Sequence, residues 1–136
     1  MDEKEFRILQ EKVNDDVNID KNNVLNKSLI VPKLYSYYSQ IFSEQLKIFR
    51  NMSLEKEKVY GQLYHYYKHE YQFKLDKRTD IEPYIFKDDK WCSLMKNFND
   101  QEVIVKYLEK VLDAVKSMGF SIKNYVDYRK FLEGGI

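Results

Sequence analysis

The sequence predicts an all-α protein, with short N-terminal helices, a long central helix or helix pair, and a C-terminal helical hairpin. Three observations lead there. Glycine (4) and proline (2) are scarce in 136 residues, which disfavours a loop-rich β protein and favours long uninterrupted helices. Apolar residues recur at helical spacing along most of the chain. Charged residues make up 33% and hydrophobic residues 43%, a balance that suits helices wet on one side. The length points to one helical domain over residues 1–136.

Residues 3–13 read as a first short helix, with Phe6, Ile8, Leu9 and Val13 near helical spacing. Asn14-Asp15-Asp16 should end it, because such side chains compete with the helical backbone. Asp20 can cap a second short turn that runs to Leu29. Pro32 is then expected to break the pattern, since the residue before a proline avoids helical angles.

Beyond Pro32 the scale changes. Leu34, Tyr38, Ile41, Gln45, Ile48, Met52, Tyr60, Leu63, Tyr67 and Tyr71 form a helical stripe. A straight helix over 33–73 would be about 60 Å long. A compact globule of this length has a radius of gyration of only about 14 Å. Either the helix breaks near Asn51-Met52-Ser53, or it projects and packs on other subunits; the second option is favoured.

Residues 74–99 read as irregular, with Pro83 interrupting and Trp91, Leu94 and Met95 suggesting at most a short helix. Asn99 followed by Glu102 resembles a capping box. A helix with a broad apolar stripe follows: Val103, Ile104, Tyr107, Leu108, Val111, Leu112, Val115 and Met118. Gly119 is expected to stop it. A last helix carries Ile122, Tyr125, Val126 and Leu132, and Gly134-Gly135 should end it.

Several function classes drop out. No apolar run approaches the roughly 18 residues of a transmembrane helix. The acidic start, Met1-Asp2-Glu3-Lys4-Glu5, is no signal peptide. No Gly-rich phosphate loop occurs, and the single cysteine excludes a cysteine-pair zinc site and an internal disulfide. A reducing compartment follows. His65 and His69 have the spacing of two metal ligands on one helix face, but the rest of a coordination set is missing. Ordinary helix residues are the better reading, with no metal and no cofactor. Cys92 lacks a base partner and reads as structural; Asp15-Asp16 and Asp88-Asp89 read as solvated turn residues.

The net charge of +1 hides an uneven distribution. Nine basic and five acidic groups lie between residues 31 and 78, the only clearly basic section. An anionic partner would bind there. Within it, Tyr60 to Tyr71 holds five tyrosines and two histidines, flanked by lysines. Basic groups neutralise phosphates, and aromatic faces stack on bases without reading a sequence. Tyr60, Tyr64, Tyr67 and Tyr71 share one helix face, which reads somewhat better as an interface stripe. Tyr66 points elsewhere. A DNA-binding role then falls to Tyr66 and to Lys56, Lys58, Lys68, Lys74, Lys77 and Arg78.

These residues bring a family into view. The C-terminal run Leu112-Asp113-Ala114-Val115-Lys116-Ser117-Met118-Gly119-Phe120-Ser121-Ile122-Lys123-Asn124, continuing to Asp127, Arg129 and Phe131, resembles the UvsY recombination mediators of T-even-like phages. So do Leu9-Gln10-Glu11, Asp16-Val17-Asn18-Ile19-Asp20 and the Tyr66-Tyr67 pair. The run from Leu25 to Ser36 looks like the marine-phage branch of that family. The resemblance implies a non-catalytic helical protein that assembles into a ring, a heptamer, through its C-terminal helices at 100–134. Val103, Tyr107, Leu108, Val111, Leu112, Val115, Phe120, Ile122 and Tyr125 are the expected self-assembly residues. It also implies binding to single-stranded DNA, and partnership with the phage recombinase and the phage single-strand-binding protein in the cytoplasm of an infected bacterium. The family can carry a lysine and an arginine just before the paired tyrosines; here that stretch is the uncharged Tyr60-Gly61-Gln62-Leu63. The basic residues named above are expected to replace them. The alternative is a helical scaffold with no nucleic-acid role.

Overall fold

A computed structural model of the chain describes residues 1–134. The protein is all-α, as the composition predicts, with no strand among the described residues. Helix α1 spans Glu3–Asp16 and α2 spans Val24–His65, running into a π turn at Tyr66–Glu70. Helix α3 spans Arg78–Lys87 and α4 spans Asp89–Leu132. The chain divides into two compact units. The first holds Met1–Ser43 and the chain from Lys106 onward; the second is Glu44–Val105.

The first unit is organised by the ends of α1. The Asp2 carboxylate accepts from the Glu5 amide at 2.7 Å, and Glu3 and Glu5 favour the positive helix start. At the other end Lys27 donates to the carbonyls of Asp15 and Asp16, both at 3.0 Å, satisfying groups the helix leaves open. Asp16 also accepts from Lys12 at 2.7 Å and from the fully buried Tyr38 hydroxyl at 2.6 Å. Burial opposes the Asp16 charge, but the bonds from Lys12 and Tyr38 outweigh it and hold the carboxyl below its ordinary value. Between the helices, Asp20 accepts from the amides of Asn22 and Asn23, the capping turn expected of it. Leu9, Val13, Leu34, Tyr38, Leu108, Val111, Val115, Met118 and Ile122 fill this unit's core.

Four expectations about helix boundaries are corrected. Pro32 lies inside α2. Its ring removes the amide that would bond the Ser28 carbonyl, but Pro32 is exposed, so solvent can serve that carbonyl. Burial of Leu34 and Tyr38 beyond it carries the helix on. Residues 74–99 are not irregular, because α3 and the first quarter of α4 occupy most of them. Asn99 and Glu102 sit in the interior of α4 rather than at a start, between the buried Phe98, Gln101 and Ile104.

The C-terminal hairpin is likewise absent, since α4 runs straight through Gly119. Glycine stops a helix by taking a left-handed φ, and among the described residues only Gly134 does so, at 76°. Val115, Met118 and Ile122 are buried on both sides of Gly119, so packing keeps the helix whole. Gly134 supplies the stop, its amide bonding the Phe131 carbonyl at 3.2 Å; Gly135 lies outside the described residues. A Cβ at Gly119 would meet nothing within 4 Å. Gly119→Ala is therefore expected to stabilise the protein by about 0.5–1 kcal/mol, read by urea denaturation. A destabilised variant would mean the helix bends there in solution.

In the second unit α2 continues without interruption past Asn51-Met52-Ser53, so it does not break there. Val59, Leu63 and Tyr67 pack with Ile81 and Ile85 of α3 and Trp91 of α4. Ile81 and Ile85 stand four apart, so one face of α3 is buried. Further along, the buried Gln101 amide donates to both the backbone oxygen and the side-chain oxygen of the buried Gln45, each at 2.9 Å. This pairing lets polar groups sit in an apolar interior at little cost.

Candidate nucleic-acid interface

The tyrosine-rich stretch lies where α2 passes into the π turn. Tyr60, Tyr64, Tyr67 and Tyr71 all belong to the second unit's core cluster or pack on it. Their shared face is thus an internal packing stripe. Two of their hydroxyls find partners there. Tyr67 donates to Asp88 at 2.7 Å, and Tyr60 donates to Glu82 at 2.8 Å. Burial and then the Asp88 bond push the Tyr67 hydroxyl up to about 12; the Glu82 bond, then burial, raises that of Tyr60.

Asp88 is more than a solvated turn residue. It receives Tyr67 and also accepts from the Lys90 amide at 2.9 Å, capping the start of α4. The signal in the sequence is weak, an aspartate three residues before Trp91, in a stretch that Pro83 makes read as irregular.

Tyr66 behaves differently from its neighbours. It is 42% exposed while Tyr67 next to it is buried. A π turn adds one residue to the helical turn, and such turns recur at functional sites. Here it separates one tyrosine for solvent from one for the core.

The basic candidates divide by environment. Lys58, Lys74 and Lys77 are exposed and make no ion pair among the described residues. Lys68 is exposed, its ammonium 6.0 Å from the Tyr64 ring centroid. Lys56 is half-buried, its ammonium over the Phe98 ring at 4.8 Å, so part of its attraction is spent on a cation–π contact. Arg78 is held by Glu82, four residues on. The bond to Glu82 raises the Arg78 pKa, and that to Arg78, followed by the Tyr60 hydroxyl, lowers that of Glu82. Arg78 thus arrives with its charge already answered, and serves as a brace between α3 and Tyr60.

The His65 and His69 rings stand 4.8 Å apart, but among the described residues no group of three His, Cys, Asp or Glu could hold a metal. Cys92 is exposed, its Sγ 3.2 Å from the Phe86 carbonyl oxygen, while Trp91 and Met95 beside it pack in the core cluster. No helix among the described residues is long and apolar enough to cross a membrane.

The residues expected to carry self-assembly also divide. Leu108, Val111, Val115 and Ile122 are buried in the first unit's own core. Apolar periodicity cannot tell a stripe used within the chain from one used between chains. Tyr107, Leu112 and Tyr125 are half-buried, Tyr107 against Phe6 with ring centroids 5.3 Å apart. Phe120 is 70% exposed; in the second unit Val103 is exposed. Val126, Tyr128, Phe131 and Leu132 extend the exposed apolar surface along the end of α4.

The family described as "Recombination, repair and ssDNA binding protein UvsY" matches residues 12–135. No curated protein sequence matches the chain. Among solved structures, one crystal form of the bacteriophage T4 recombination mediator protein UvsY is similar with a TM-score of 0.83 at 22% identity, covering 99% of this chain and 99% of that one. A second crystal form gives a TM-score of 0.80 at 23% identity, covering 93% of this chain and 97% of that one. At such identity the structural likeness is one of fold.

Proposed function

This chain belongs to the UvsY family of recombination, repair and single-stranded-DNA-binding proteins, and from that premise we propose that it is a ring-forming recombination mediator. It binds single-stranded DNA and helps the phage recombinase nucleate on strands already coated by the single-strand-binding protein, in the cytoplasm of the infected host. It does so without catalysis. The observation that carries the reading is the set of exposed, uncompensated lysines on the second unit, Lys58, Lys74 and Lys77 with Lys68, beside the exposed Tyr66.

The physics of such a site is additive. A few lysines per subunit hold a strand weakly, through release of its counterions. Repeated around a heptameric ring, weak sites gain avidity when one strand spans several of them. A strand drawn along that track is bent away from its coat and offered to the recombinase. Self-assembly falls to the apolar residues not consumed inside the chain: Phe120, Val126, Tyr128, Phe131 and Leu132.

Native mass spectrometry, with and without oligothymidine, tests this directly. The expected result is one closed assembly of seven subunits that takes up the oligonucleotide. Affinity should rise with strand length beyond one subunit's reach and fall linearly with the logarithm of salt. A monomer indifferent to DNA would sink the proposal.

A further inference from the structure

One exposed ring lies just past the π turn, outside the charge argument. Phe73 is 57% exposed, in the link between Tyr71 and Lys74. A single exposed phenylalanine is common on protein surfaces. This one is held in place. Its ring meets Tyr71 edge-on with centroids 5.6 Å apart. Tyr71 is fixed in turn against Tyr67 at 5.0 Å and Tyr84 at 5.3 Å, both tied to the second unit's core. The same Tyr71 ring touches Tyr66 at 6.2 Å. Two exposed rings, Tyr66 and Phe73, therefore flank one anchored ring, with Lys68, Lys74 and Lys77 in the same stretch of chain.

We propose that Tyr66 and Phe73 form a base-stacking subsite, on which unpaired bases of the bound strand lie while the neighbouring lysines hold its phosphates. This inference rests on the single-strand-binding reading above. It adds what charge alone lacks, a reason to prefer a single strand over a duplex. Lysines attract either form of DNA. Only an unpaired base can leave its neighbours and lay a π face on a protein ring, and every base has such a face, so the subsite is tolerant of sequence. Rings already anchored on the core lose little freedom when a base arrives, so more of the stacking appears as affinity.

The test compares an oligothymidine with an abasic oligonucleotide of equal length, which keeps the phosphates and removes the bases. Wild type is expected to bind the oligothymidine more tightly. Phe73→Ala should weaken oligothymidine binding by about tenfold or more, leave abasic binding unchanged, and keep the salt slope. Phe73→Trp should retain the affinity, and the new indole should be quenched on binding. Phe73 being exposed, both variants should melt like wild type. Wild type that binds both oligonucleotides equally overturns the stacking subsite but leaves single-strand binding standing. So does Phe73→Ala with undiminished oligothymidine affinity. Wild type that binds neither removes the underlying reading and this one with it.

Discussion

Replacing Lys58, Lys68 and Lys77 together by glutamate is expected to lower affinity for single-stranded DNA by about 100-fold at roughly 0.1 M salt. The figure follows from counterion release. Each phosphate neutralised on a single strand contributes about 0.7 to the slope of log affinity against log salt, hence about 0.7 of a decade at that salt. Losing three contacts therefore costs about two decades and flattens the slope by about 2. The lysine heads are exposed, and Lys68 alone of the three touches a ring. The melting temperature should thus hardly move. Anisotropy titrations at several salt concentrations read both quantities. Unchanged affinity with an unchanged slope would falsify the placement of DNA on this surface. Arg78→Ala offers a contrast, because Glu82 already answers that charge. It should cost DNA affinity much less than any one of the three lysines.

The largest effect on folding is expected from Ile85→Ala. Ile85 is fully buried, in the same cluster as Val59, Leu63, Tyr67, Ile81 and Trp91. Truncating such a side chain removes its transfer energy and leaves a cavity, together worth about 2–5 kcal/mol. That is a large share of a typical stability of about 5–15 kcal/mol. Trp91 is the only tryptophan and lies in the affected cluster, so its fluorescence during urea denaturation reports this unit. A loss below about 1 kcal/mol would mean that α3 does not close over the tyrosine stripe in solution. Loosening α3 also frees Tyr67, Tyr84 and Tyr71, the rings that fix Tyr66 and Phe73. DNA affinity should then fall even though no proposed DNA ligand has changed.

Local chemistry was legible because it acts over a few residues. The sequence places the end of α1 before the Asn14-Asp15-Asp16 cluster, and the helix runs through that cluster to Asp16; the turn at Asp20 is legible from a side chain that bonds nearby backbone. Periodicity marks ten residues from Leu34 to Tyr71 as one stripe; Leu34, Tyr38, Gln45, Leu63 and Tyr67 are buried, Ile41, Met52, Tyr60 and Tyr71 are half-buried, and Ile48 is exposed. Breakers were the weak point. Pro32, Gly119 and Asn99 each lower helix propensity by an amount that packing on either side exceeds, so the helices run on.

The sequence by itself therefore determined the all-α class, the position of the basic and tyrosine-rich section, and membership of a family. These depend on composition, spacing and kinship, which survive without coordinates. Only the tertiary structure decided how each candidate is used. It placed four tyrosines inward and left Tyr66 outside, tied Arg78 to Glu82, and gave Asp88 to both Tyr67 and the start of α4. It also consumed Leu108, Val111, Val115 and Ile122 within the chain's own core. The reason is physical. A helical stripe specifies that a face will be buried, but what buries it, and which carboxylate a tyrosine hydroxyl finds there, depends on residues some twenty or more positions away.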